Sequence, residues 1–77
     1  MSEFYNIVNQ MNPDNRNMAL TVAEGEAVGE KALLSDHRII WGAENGRFFH
    51  CHKAEAEKLE ESGLYLIGGQ KVFCELL

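Results

Sequence analysis

Apolar side chains near the start of the chain fall at Phe4, Ile7, Val8 and Met11, the i, i+3, i+4, i+7 spacing that predicts a short amphipathic helix over 3–11. Asn12-Pro13 ends it. Proline has no amide hydrogen to donate and turns the residue before it away from helical angles, so the polar run that follows reads as a turn.

Residues 18–34, MALTVAEGEAVGEKALL, admit two readings. Thr21 with Glu24 three residues later has the spacing of a helix capping box. A helix would hold Gly25 and Gly29 in its interior, each costing up to about 1 kcal/mol relative to alanine, and its apolar positions scatter around the wheel. The favoured reading is a strand around Leu20–Val22, a turn at Glu24-Gly25-Glu26 and a second strand ending near Leu34.

Asn45-Gly46 is the strongest two-residue hairpin signal in the chain, since both residues accept the positive φ of a type I′ turn. The register it implies pairs Trp41 with His50, Ile40 with Cys51 and Ile39 with His52. One face of that hairpin then carries His37, Ile39, Trp41, Phe48, His50 and His52, and the other Ile40, Phe49 and Cys51. The next segment, KAEAEKLEESG, is rich in helix formers. It predicts a helix over 53–62 with Ala56 and Leu59 inward, Glu55, Glu57, Lys58 and Glu61 outward, and Gly63 as its left-handed terminator.

The closing stretch LYLIGGQKVFCELL predicts a second hairpin turning within 68–70, with Tyr65, Ile67, Val72 and Cys74 on one face and Leu64, Leu66 and Phe73 on the other. Both faces of both hairpins are apolar, and the chain supplies about one helix to cover each. The expected fold class is α+β: a single domain over 1–77 in which an antiparallel sheet of four to six strands packs with the 3–11 and 53–62 helices.

Composition narrows the chemistry. A chain of 77 residues buries only roughly 60% of the surface its unfolded form exposes, so stability is expected to be modest. Twelve acidic against seven basic residues leave a net charge of −5, which opposes contact with nucleic acid or an anionic membrane and favours a basic protein surface. The basic residues are dispersed, with no stripe interleaved with aromatics, so direct nucleic-acid binding is not expected. No apolar run approaches the ~20 residues of a membrane span, and no charged-then-apolar signal segment opens the sequence. Cys51 and Cys74 lie outside any CxxC spacing. They read as two free thiols in a reducing, cytoplasmic setting, Cys51 as a small core residue and a disulfide as the minority case.

Three candidate chemistries follow from the pattern. His37, His50 and His52 on one hairpin face have the makings of a three-imidazole zinc site, set against the plainer reading that Trp41 and Ile39 make this a packing face. Ser35-Asp36-His37 contains the letters of a catalytic triad, but consecutive residues cannot converge on one reacting atom, so it reads as a turn. Gly68-Gly69 lacks the strand-loop-helix setting of a phosphate loop. Neither an enzyme nor a cofactor is called for.

Aromatic anchors beside an acidic rim fit a binding module better. The residues singled out for a protein partner are Trp41, Phe48 and Tyr65 with Glu55, Glu57, Glu60 and Glu61. Size and acidity resemble those of small phage or mobile-element proteins that block host nucleic-acid-binding machinery, anti-CRISPR inhibitors among them, and no motif accompanies the likeness. A metal-binding module using the three histidines and a small structural homodimer stand as the alternative readings.

Overall fold

The computed structural model describes residues 3–42 and 46–77. Helix α1 spans Glu3–Gln10, strands β1 to β3 span Asn17–Glu24, Lys31–Ser35 and Arg38–Trp41, short helices α2 and α3 span Arg47–Cys51 and Lys53–Ala56, and strands β4 and β5 span Gly63–Ile67 and Gln70–Leu76. The strands form one antiparallel five-stranded sheet in the order β3-β2-β1-β5-β4. This is an α+β fold, as the patterning implies.

The strand reading of 18–34 holds. β1 pairs with β2 from Asn17↔Ser35 to Thr21↔Lys31, and Gly25 and Gly29 fall in the connection, both at positive φ. A helix would have spent the apolar residues of this segment on several faces; the sheet sorts them onto two.

The expected hairpin at 45–46 does not form as drawn. Asn45 lies outside the described residues, and the 47–52 segment meant as its second strand is helix α2 followed by its C-terminal residue His52. Phe48 and Phe49 explain the difference. As neighbours on a strand they would point to opposite faces, whereas a helix set on the sheet brings both into the core, 5% and 0% exposed, with their rings edge-to-face at 5.1 Å. Gly46 supplies no capping side chain, and the Glu30 carboxylate accepts the Phe48 amide hydrogen instead at 3.2 Å. The cap is tertiary and leaves no local signature.

The hairpin that does form here is β2–β3. Its turn is Asp36-His37, both at positive φ as a type I′ turn requires. The Asp36 carboxylate holds it by accepting the Arg16 amide hydrogen at 2.8 Å, and the Asp36 amide returns a bond to the Arg16 carbonyl at 3.0 Å.

The helix expected over 53–62 closes early. After Ala56 the chain tightens into i to i+3 bonds, Lys58 N–H to Glu55 and Leu59 N–H to Ala56, each 3.2 Å. Two long-range contacts favour this exit. The Glu57 carboxylate accepts the Ile39 amide hydrogen at 2.8 Å, and the Arg16 guanidinium donates to the Glu60 carbonyl. Gly63 accordingly begins β4 and does not terminate a helix.

Because β3 and β4 are opposite edges of the sheet, the 47–62 segment crosses one whole face. That face is the core: Met18, Leu20 and Val22 of β1, Ala32 and Leu34 of β2, and Val72 and Cys74 of β5 pack with Phe48, Phe49 and Ala56. Leu59 and Tyr65 close its margin.

Candidate functional site

The second face of the sheet is only partly covered. Registers Leu33↔Ala19, Thr21↔Phe73 and Leu64↔Phe73 place these side chains together on it, opposite the core. Toward β3 and β2 it is closed by α1. The Phe4 ring meets the Trp41 ring edge-on at 5.5 Å and Lys31 Nζ stands 5.4 Å from the Phe4 centroid, while Leu33 and Ala19 are buried. The half-buried stripe of α1 is the predicted one, Phe4, Ile7 and Val8, continued by half-buried Met11 just past its last residue Gln10.

Toward β5 and β4 the face is open. Leu64 is 57% exposed, Leu66 73% and Phe73 46%, three large apolar side chains side by side on adjacent strands. Lys71, paired to Glu24 at 3.5 Å, borders them. An apolar group of this kind in a single small domain is the usual mark of a contact surface.

The residues expected to meet a partner do not converge as drawn. Trp41 is half-buried against Phe4, and its indole Nε1 is buried without an acceptor among the described residues. Phe48 belongs to the core and cannot act as a surface anchor, a correction that follows from α2 replacing the expected strand. Tyr65 faces the core side, half-buried, with its hydroxyl donating to the Glu61 carbonyl at 2.7 Å. Of the acidic four, Glu55, Glu60 and Glu61 are exposed, whereas Glu57 is half-buried and occupied with the Ile39 amide. Leu64 and Leu66 lie outside the partner residues expected from sequence, and their signal is the alternation of the second hairpin together with the shortage of covering helices.

The three histidines do not share a face. His37 sits in the β2–β3 turn with Nδ1 3.2 Å from the Glu57 carbonyl, His50 is exposed on α2, and His52 at the end of α2 lies 3.3 Å from Glu55 and 4.8 Å from the Phe48 ring centroid. Among the described residues no group of three or more His, Cys, Asp or Glu side chains is placed to hold a metal ion. The zinc arrangement depended on the strand register at 47–52, and α2 removes it. No described helix is long and apolar enough to cross a membrane.

The two thiols are free and opposite in character. Cys51 is exposed on α2, not a core residue as expected, while Cys74 is fully buried on the core face. Burial pushes the Cys74 thiol up from its ordinary pKa, with the Arg16 charge opposing weakly. Alkylation at neutral pH should therefore show one fast thiol and one that reacts only as the fold opens. Equal labelling rates for Cys51 and Cys74 in the folded protein would contradict this placement of β5.

No family model matches the chain, nor does any curated protein or solved structure.

Proposed function

We propose that this chain is a small acidic protein-interaction module whose partner seats on the uncovered half of the sheet. The observation that carries the reading is the open group of Leu64, Leu66 and Phe73. Burying such side chains is worth roughly 1.5–3 kcal/mol each when the contact is complete, enough for a few of them to anchor a complex. The exposed carboxylates of Glu55, Glu60 and Glu61, with the net charge of −5, favour a partner with a basic surface by steering its approach. In its most specific form the proposal is an inhibitor: the module occupies a basic, nucleic-acid-binding surface of a host protein, the mode of action of anti-CRISPR proteins.

Kinetics on a captured partner test the reading. Phe73→Ser, which leaves the strand backbone intact, should raise the dissociation rate by about tenfold or more. Glu60→Lys with Glu61→Lys should slow association and flatten its dependence on salt, because screening acts beyond roughly 8–10 Å. Glu57 is unsuited to that test, since replacing it also frees the Ile39 amide. A partner that dissociates from Phe73→Ser at the parental rate does not use this face, and the proposal fails.

A further inference from the structure

The two edges of the sheet are finished differently. β3 is four residues long, its pairing with β2 shifts register between Leu33 and Leu34, it carries Arg38, and the Ile39 amide that points outward is taken by the Glu57 carboxylate. These are devices by which natural sheets blunt an edge. β4, GLYLI, has none of them: no charge, no proline and no register shift along its five residues.

The register states which of its backbone groups are open. Gly68-Gly69 is a two-residue turn, so the flanking Ile67↔Gln70 pair exchanges hydrogen bonds, and bonded pairs recur at Tyr65↔Val72 and Gly63↔Cys74. The alternation agrees with its surroundings, for the Leu76 amide, of the same parity on β5, points to the β4 side and donates to Ser62 Oγ at 2.8 Å. Leu64 and Leu66 therefore direct both their N–H and C=O groups away from the sheet. They are also the most exposed apolar residues of the strand.

We infer that β4 pairs with β4 of a second copy of this chain, antiparallel about a two-fold axis at Tyr65. In that register Leu64 stands opposite Leu66 of the second copy and Leu66 opposite its Leu64, so every outward amide and carbonyl of the two residues meets its complement. Opposed side chains of an antiparallel pair share a face, so the leucines of both copies join one apolar band with Phe73 at each flank. The strand carries no charge to set against itself, which a net charge of −5 would elsewhere impose on self-association. An occupant that supplied only an apolar surface would leave the outward groups of Leu64 and Leu66 unpaired, and a second β4 satisfies them in a register that closes on itself. The pairing leaves the open face accessible and does not depend on a foreign partner.

A seam of five residues is short beside stable interfaces, which bury roughly 1,200–2,000 Å², so the dimer forms with concentration and not at all dilutions. Sedimentation across a concentration series should show a passage from one to two protomer masses. Leu66→Pro deletes an outward donor while sparing every bond to β5, and Leu64→Lys charges the edge; each should raise the dimer dissociation constant by about tenfold or more. Hydrogen exchange of the parental chain gives a reading independent of any variant's folding: the Leu64 and Leu66 amides should slow as concentration rises, while the Ile40 and Phe73 amides do not follow. A chain that stays monomeric throughout, including one that pairs only with a foreign peptide, overturns the inference. So does a dimer in which the Leu64 and Leu66 amides exchange as fast as in the dilute protein, whatever the fate of the face-directed Phe73→Ser test.

Discussion

Phe49→Ala should destabilise the protein by about 3–5 kcal/mol, the range for removing a fully buried aromatic ring. Phe49 is among the largest fully buried side chains, and it is held by its edge-to-face contact with Phe48 and by the β1, β2 and β5 residues of the core face. At roughly 0.05–0.15 kcal/mol per residue, a domain of this length has about 4–12 kcal/mol of stability in all, so the variant would lose a quarter of it or more. The melting temperature should fall by ~12–40 °C, at about 4–8 °C per kcal/mol for a domain of this size. A thermal melt within 5 °C of the parent, ~1 kcal/mol, would show that α2 is not the clamp over this face.

Gly42→Ala should rank next, at about 2–5 kcal/mol, from a disallowed backbone angle together with overpacking. Gly42 follows β3 at φ +107, buried, where a Cβ would run into the Lys31 carbonyl oxygen and lie 2.8 Å from the Ala32 Cα. Neither neighbour is a flexible side-chain end, so β2 and β3 would have to separate. Gly69→Ala is the matched control. Its φ is +76 with nothing within 4 Å of the added carbon, and conformational strain alone costs about 1 kcal/mol. Denaturant melts that place the two variants within error of each other would remove the close approach of β2 as the cause.

Much of the site could be traced from local pattern, and its failures share one origin. The second hairpin was legible down to which residues share a face, because Gly68-Gly69 sets a short turn and alternation does the rest. That alternation already set Leu64, Leu66 and Phe73 apart from the core residues Tyr65, Ile67, Val72 and Cys74. Which of the two groups is left uncovered depends on where the helices lie, and local pattern therefore points to Phe48 and Trp41 and not to Leu64 and Leu66. The acidic segment was identified by composition alone, yet Glu57 within it serves the Ile39 amide, a contact with a strand 18 residues away in sequence.

The chain's own local preferences determined α1 with its Phe4, Ile7, Val8 and Met11 stripe, the strands on either side of Gly25 and Gly29, the closing hairpin, and an α+β sheet with two apolar faces. Spacing, turn chemistry and the conformational limits of glycine and proline act between near neighbours, so they are written in near neighbours. Only the tertiary structure decided that RFFHC is helix and that the helical run after Lys53 stops at Ala56. In both cases a distant group outweighs the local signal: the core demands both phenylalanines on one side, Glu30 caps α2, and Glu57 and Arg16 draw the chain toward β4. A local preference is worth a few tenths of a kcal/mol to about 1 per residue, whereas burying a phenylalanine and satisfying an orphan amide are worth several together. Where the two compete, packing prevails, and the segment from 46 to 62 is where they compete.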